Sequence, residues 1–253
     1  MKKRTLLSTV LASVLGLMGC KDRTMKAEEF TEDYTDPQAI ALVTAVVEGD
    51  EARVRTLAKA GSDLNAVGRY HQTPLRIAIK VNSKKMLKLL LELGADPNFR
   101  TPGGGAVAAD WAAAHKDPDY LQILLDHGLD PNLKHDKQPI IFSTIENNNW
   151  IQYDMLVAHG ADTLTARAAD NSTVAWYMAS QFEYARLKEL ILQGADVRTP
   201  SNTGLTVVET LANDQARFSG NPQHPAYIAR VELLEMLRDK GLEIPLDIPG
   251  VRY

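Results

Sequence analysis

The most chemically versatile side chains of this 253-residue sequence are six histidines and one cysteine. A zinc site needs three or four such ligands, usually at short spacings such as Cys-x-x-Cys or His-Glu-x-x-His. The histidines are instead spread between His71 and His224. Both His127 and His159 directly precede a glycine, where a basic ring is favourable at the C-terminal end of a helix. The spacing therefore does not predict a metal site.

Potential nucleophiles and phosphate-binding glycines also lack the neighbours that catalysis requires. The sequence contains no Gly-x-Ser-x-Gly and no Walker motif. The run Gly103-Gly104-Gly105 is not followed by Lys and then Ser or Thr, which favours a turn over a phosphate-binding loop. We therefore expect no catalytic residues and no cofactor, and an enzyme is the disfavoured hypothesis.

Composition narrows the class of partner. Lysine and arginine total 28 against 32 aspartates and glutamates, so the formal net charge is -4. Nucleic-acid binding usually needs a strongly basic face, so we expect no nucleic-acid partner. Hydrophobic residues make up 45% of the chain, which is typical of folded, water-soluble domains.

The single cysteine, Cys20, lies at the end of a segment that has the pattern of an export signal. Three basic residues at positions 2–4 precede a mostly apolar run over 6–18. That run is too short to span a bilayer comfortably and has the proportions of a signal-peptide core. The Gly19-Cys20 pair that follows resembles the bacterial lipobox, in which the cysteine is lipidated and becomes the new N-terminus.

The lipobox resemblance implies a signal peptide over 1–19 and a lipid anchor on Cys20. The polar residues over 20–35 then predict a flexible tether. Lys21 directly after the cysteine favours, by resemblance to enterobacterial sorting, the periplasmic side of the outer membrane, although Asp22 weakens that sorting signal. The alternative is an ordinary secretory signal with an incidental cysteine.

A phrase beginning with glycine and ending in an acidic residue recurs along the rest of the chain. Apolar residues recur seven and four positions before each glycine, as in Leu87 and Leu90, and mark one face of a helix. The glycine suits the left-handed position that ends such a helix. A period near 33 indicates a solenoid. The spacings are 33, 34, 32, 34 and 47 residues, between Gly61, Gly94, Gly128, Gly160, Gly194 and Gly241.

Together with the helix start Thr73-Pro74-Leu75-Arg76-Ile77-Ala78, these phrases resemble the ankyrin repeat. The resemblance implies an all-α ankyrin-repeat solenoid of about six repeats over 36–243. No unit keeps the family's histidine after Thr-Pro-Leu, and Arg76 replaces it in the second unit. We therefore do not expect the hydrogen bonds that this histidine normally makes, and we expect an array less rigid than an idealised one. The last unit carries an insertion over 213–226, and a tail over 244–253 follows it.

The resemblance implies a protein partner on the concave face, held by hairpin tips and by the exposed ends of the first helices. Arginine and tyrosine are often energetically important at interfaces, but each residue of the set is also an ordinary surface residue. The matching positions are Arg69, Tyr70, Gln72, Lys80, Arg100, His115, Lys134, His135, Glu146, Arg167, Gln181 and Asp214.

Three hypotheses about function follow. Bacterial lipoproteins built from helical repeats resemble immunity proteins that neutralise type VI phospholipase effectors, so a toxic secreted effector is the first expected partner. The second hypothesis is a scaffold that supports a resident periplasmic enzyme, such as a stress-related catalase. The third, an enzyme, has no catalytic motif to support it.

Overall fold

The protein is described by a computed structural model covering residues 25–103, 108–213, 221 and 223–244. Its described part contains thirteen α-helices, one short 3-10 helix (Arg69–His71) and one two-stranded hairpin, and it is an all-α ankyrin-repeat solenoid. In chain order the α-helices and strands are α1 (Glu28–Thr31), α2 (Pro37–Glu48), α3 (Glu51–Lys59), α4 (Pro74–Lys80), α5 (Lys84–Glu92), α6 (Ala108–Ala114), α7 (Asp119–Asp126), β1 (Lys134–His135), β2 (Gln138–Pro139), α8 (Ile141–Glu146), α9 (Trp150–Ala158), α10 (Val174–Ser180), α11 (Tyr184–Leu192), α12 (Val207–Asn213) and α13 (Pro225–Asp239).

Helices α2 to α13 form six antiparallel pairs, one for each predicted repeat. The first helices of the pairs stack in the order α2, α4, α6, α8, α10 and α12, and each contacts the next. The leucines given as the example of the core-facing pattern, Leu87 and Leu90, are fully buried. The hydrophobic content is therefore distributed over successive layers, each of which needs its neighbours for stability.

Local sequence explains where these helices begin and end. The Thr73 side chain accepts a hydrogen bond from the Arg76 N–H at 3.3 Å, and Pro74 occupies the first turn of α4. The predicted repeat glycines all have positive φ, for example 103° at Gly94. An L side chain is strained in that conformation, so the glycine phase is a requirement of the backbone.

An asparagine ladder joins successive repeats at the base of their hairpins. Asn98 donates to the Gly128 carbonyl at 2.9 Å, and its side-chain oxygen accepts from the Asp130 N–H at 2.7 Å. These bonds connect the end of one pair to the end of the next and set the spacing between them. In the same way, the Asn132 side chain donates to the Gly160 carbonyl (3.1 Å) and accepts from the Asp162 N–H (2.7 Å). The Asn65 side chain accepts from the Asp96 N–H (3.0 Å).

The N-terminal segment differs from the flexible tether predicted over 20–35. Residues 28–31 form helix α1, in which Phe30 is 1% exposed, and Tyr34 just after it is also buried. The Lys80 ammonium lies 5.0 Å from the centre of the Phe30 ring. A terminal repeat exposes its apolar face unless something covers it. The two aromatic residues provide that cover, so the described part of the segment is a cap rather than a tether.

Several predicted regions lie outside the described residues. These are the signal peptide over 1–19, Cys20, most of the insertion over 213–226, and the tail over 244–253 except Ile244. Helix α13 begins at Pro225, so the last two residues of the predicted insertion are helical. Within the described ranges, no helix has the length and apolar character needed to cross a membrane.

Candidate binding face

The hairpins between repeats carry most of the residues predicted to contact a partner. Arg69, Tyr70 and Lys134 are exposed there. Neither the Arg69 guanidinium nor the Lys134 ammonium has a hydrogen-bond or ion-pair partner among the described residues. These side chains are therefore available to another molecule.

Two predicted contact arginines instead brace neighbouring hairpins. The Arg100 guanidinium donates to the Lys134 carbonyl, with its Nε 3.1 Å from that oxygen. The Arg167 guanidinium lies 2.9 Å from the Asp196 carboxylate. The Asp196 pKa is lowered because hydrogen bonds from the following turn, together with Arg167, outweigh desolvation by burial. Both arginines connect neighbouring hairpins, but only the charge of Arg167 is paired with a carboxylate.

Three further predicted residues are committed to packing. Gln72 is 7% exposed and lies against the N-terminal cap. Lys80 is half-buried over the Phe30 ring. The His115 ring lies 4.6 Å from the Tyr120 ring, and its backbone carbonyl accepts a hydrogen bond from the Asn149 amide at 3.2 Å. These three residues take part in packing and hydrogen bonding within the protein, so their side chains are less available to a partner.

The remaining predicted residues lie around the fourth and fifth repeats. The exposed Glu146 carboxylate accepts hydrogen bonds from Gln138 at 2.9 Å and from the Tyr177 hydroxyl at 3.2 Å. Burial and the nearby Glu146 carboxylate raise the Tyr177 pKa above its ordinary value. His135 and Gln181 are half-buried. Asp214 lies outside the described residues.

The hairpin of the second repeat, between α3 and α4, displays the most exposed large apolar side chain in the described part of the chain. Tyr70 is 79% exposed, and Val67 nearby is 39% exposed. Tyr70 and His71 both have left-handed backbones, with φ of 53° and 58°. That conformation costs an ordinary L residue about 1–2 kcal/mol, so the surroundings must hold it in place.

A buried arginine holds this strained backbone. The Arg76 guanidinium donates to the Tyr70 carbonyl at 3.0 Å and also to the His71 carbonyl. Its carbon lies 4.8 Å from the centre of the Trp111 ring. Desolvation by burial lowers the Arg76 pKa. In this unit Arg76, at the position of the missing histidine, donates hydrogen bonds of its own and ties the hairpin to α4.

The N-terminal cap holds the same hairpin from the other side. The Asp33 carbonyl accepts a hydrogen bond from the Arg69 N–H at 2.8 Å. The Tyr34 hydroxyl donates to the Gln72 carbonyl at 2.9 Å. A Cβ on Gly68 would lie 2.8 Å from the Tyr34 ring, so only glycine fits there without displacement. The sequence patterns did not predict that the N-terminal cap supports this hairpin, because the support depends on contacts between residues distant in sequence.

An open groove separates two of the hairpins. It has a volume of about 620 Å³ and lies between the β1–β2 hairpin and the next hairpin along the chain. Lys134, Lys137 and Arg167 are among its lining residues. Within the described residues, no group of three or more histidine, cysteine or acidic side chains is arranged to hold a metal ion. The hairpins therefore provide a surface that another molecule could contact, and the described residues form no metal site.

A family model for ankyrin repeats, in three copies, matches residues 19–101. Cyclin-dependent kinase 4 inhibitor B of Rattus norvegicus is 39% identical over 83 residues, which are 33% of this chain and 63% of that protein. A putative ankyrin repeat-containing protein of Treponema pallidum is 31% identical over 94 residues, 37% of this chain and 31% of that protein.

A third relative, the ankyrin repeat and KH domain-containing protein mask-1 of Caenorhabditis elegans, is 33% identical over 101 residues. The matched residues are 40% of this chain and 4% of mask-1. The chain therefore spans less than two thirds of these relatives. What it shares with them is the ankyrin repeat, which generally mediates binding between proteins.

Proposed function

We propose that this chain is a periplasm-facing, lipid-anchored ankyrin-repeat protein that binds and neutralises a toxic secreted effector, such as a type VI phospholipase. The inhibition is steric: the surface formed by the hairpins between repeats, called the hairpin face, covers the active-site mouth or the membrane-docking surface of the effector. The observation that carries the proposal is a set of exposed side chains on fixed hairpins. Arg76 and the N-terminal cap hold the hairpin of Tyr70, and Arg100 ties the next hairpin to the one that carries Lys134. Rigid display lowers the entropy that is lost on binding.

Two further observations support the proposal, the first for inhibition and the second for a place at a membrane. The rat relative is named as an inhibitor of a kinase, so a protein with related repeats is described as acting on another protein by inhibition. Cys20 and Met25 are five residues apart in sequence. Even a fully extended chain covers at most about 18 Å over that length. Lipidation of Cys20 would thus hold the array close to the membrane, where a phospholipase acts.

The proposal is tested by looking for a toxin gene beside this one and expressing its product, the candidate effector, in the periplasm of a bacterial host. We expect growth arrest with the effector alone and recovery when the full chain is co-produced. The matched control is Cys20→Ser, which cannot be lipidated and should give weaker protection. No recovery with a well-folded chain would contradict the proposal.

The scaffold alternative predicts a different outcome in the source organism. Deleting this gene should have no effect in a strain that also lacks the effector gene, if the protein serves immunity. A growth or stress defect that persists without the effector would favour a scaffold for a resident periplasmic enzyme. A stable complex isolated from effector-free cells would point in the same direction.

A further inference from the structure

The hairpin of the second repeat departs from the other hairpins in the residues that form its tip. Left-handed backbone occurs in each hairpin between repeats, and four of the five use residue types that tolerate it. The hairpin of the second repeat instead has two consecutive large residues, Tyr70 and His71, in this conformation. Tyrosine is a genuine outlier in this conformation. The residues that serve the other four hairpins are Gly103, Asp136, Asn171 and Gly204.

The tip is held in this conformation by contacts with both neighbouring elements. The buried Arg76 guanidinium bonds the Tyr70 and His71 carbonyls, and the Asp33 carbonyl bonds the Arg69 N–H. A backbone bond of 2.9 Å from the Gly68 N–H to the Gln72 carbonyl closes the loop. The backbone is therefore fixed before any partner arrives.

The side chains of the same tip point into solvent. Tyr70 is 79% exposed and Val67 is 39% exposed, while Arg69 is also exposed. No ion pair among the described residues neutralises the Arg69 guanidinium. The backbone of the tip joins the cap to α4, but the side chains of Val67, Arg69 and Tyr70 form no hydrogen bond or ion pair within the described residues.

We propose that this tip, residues 67–71, is a preformed plug that inserts the Tyr70 ring into an apolar cleft of the partner protein. The rim of that cleft carries carboxylate groups that face Arg69. Tyrosine and arginine in desolvated central positions dominate many interfaces, and a fixed backbone avoids the cost of ordering a loop on binding. This inference rests on the proposed function, because the partner is the effector whose active-site mouth would be plugged.

The binding test uses the purified effector encoded beside this gene and residues 20–253 of this chain, measured by calorimetry. Tyr70→Ala should weaken binding by roughly 30-fold or more, as for a hot-spot residue. Tyr70→Phe keeps the ring and should stay within about threefold. The matched control is Ile151→Ala, which removes another exposed apolar side chain (60% exposed) on α9. A Tyr70→Ala affinity within about threefold of wild type would overturn the plug while leaving the proposed function intact.

Two measurements test the plug without the effector. Hydrogen exchange of the Gly68 and Arg69 amides should be slow in the wild type and at least about tenfold faster in Arg76→Gln, because the strained backbone loses its support. Fast exchange in the wild type would refute a preformed tip. Sedimentation with phosphatidylethanolamine–phosphatidylglycerol vesicles should not depend on Tyr70, and Tyr70-dependent vesicle binding would overturn a protein cleft in favour of a membrane.

The outcomes separate the two proposals. If the effector does not bind the wild-type chain, the proposed function fails and the plug fails with it, whereas the exchange measurement still shows whether the tip is preformed. If the effector binds but ignores Tyr70, only the plug fails.

Discussion

Replacing Asn98 by alanine should weaken the junction between the second and third repeats. The substitution removes the 2.9 Å bond to the Gly128 carbonyl and the 2.7 Å bond from the Asp130 N–H. Each such bond contributes about 0.5–1.5 kcal/mol, and water partly replaces it at this half-exposed site. We therefore expect the free energy of unfolding to fall by about 1–2 kcal/mol. Asn98→Asp keeps the acceptor but loses the donor, so it should lose about half as much.

Urea unfolding of residues 20–253, followed by circular dichroism and by tryptophan fluorescence, measures this loss. The three tryptophans are at 111, 150 and 176, all on the C-terminal side of the Asn98 junction. In a linear array the two probes should separate when that junction is weakened, because helix is lost first in the N-terminal repeats. Asn202→Ala, in an exposed position outside the ladder, is the control. A loss below about 0.5 kcal/mol for Asn98→Ala, or an equal loss for Asn202→Ala, would refute the ladder's role.

The remaining predictions concern the cap and one titrating group. Phe30→Ala should lower the free energy of unfolding by about 3 kcal/mol, because the ring is 1% exposed. Thermal unfolding measures this loss. A loss under about 1 kcal/mol would contradict the cap and favour the predicted tether. The Glu209 pKa should lie below its ordinary value, since the Thr206 N–H and hydroxyl bond its carboxylate, and carbon-detected NMR titration measures this. Its stabilising contribution is then present at neutral pH and is lost as pH falls below the ordinary value of 4.5 through the lowered pKa, a decline that Glu209→Gln should reduce.

The repeat architecture was predictable because its strongest constraint is local. Each helix pair must end in a residue that accepts a left-handed backbone, and glycine satisfies that requirement without contact to anything distant. Counting from Gly61 to Gly241 therefore gave both the number of units and the buried face of the second helices. The structure confirms the all-α solenoid and the six pairs over the described residues.

The roles of individual surface residues were less predictable, because they depend on partners one repeat away. Repeat phase places Arg100 and Arg167 on hairpins, but only the fold brings Arg100 to the Lys134 carbonyl and Arg167 to Asp196. The asparagine two positions after the acidic residue in the first three phrases (Asn65, Asn98 and Asn132) was the available signal for the ladder.

The N-terminal cap was missed for a similar reason. Phe30 and Tyr34 stand among acidic residues, and the local composition of that segment is typical of a solvated linker. Two aromatic residues close to the first repeat were the available signal. Their burial becomes evident only when the exposed face of α2 is considered, since a solenoid end needs a cover.

The central claim is that the hairpin face of this array binds a protein partner. Hydrogen–deuterium exchange of residues 20–253, with and without the effector encoded beside the gene, tests it most directly. The account predicts slower exchange on binding at the hairpin segments 66–72 and 134–138, with helices α5, α7 and α9 unchanged. Protection confined to those three helices, or no protection with a saturating excess of the effector, would contradict it.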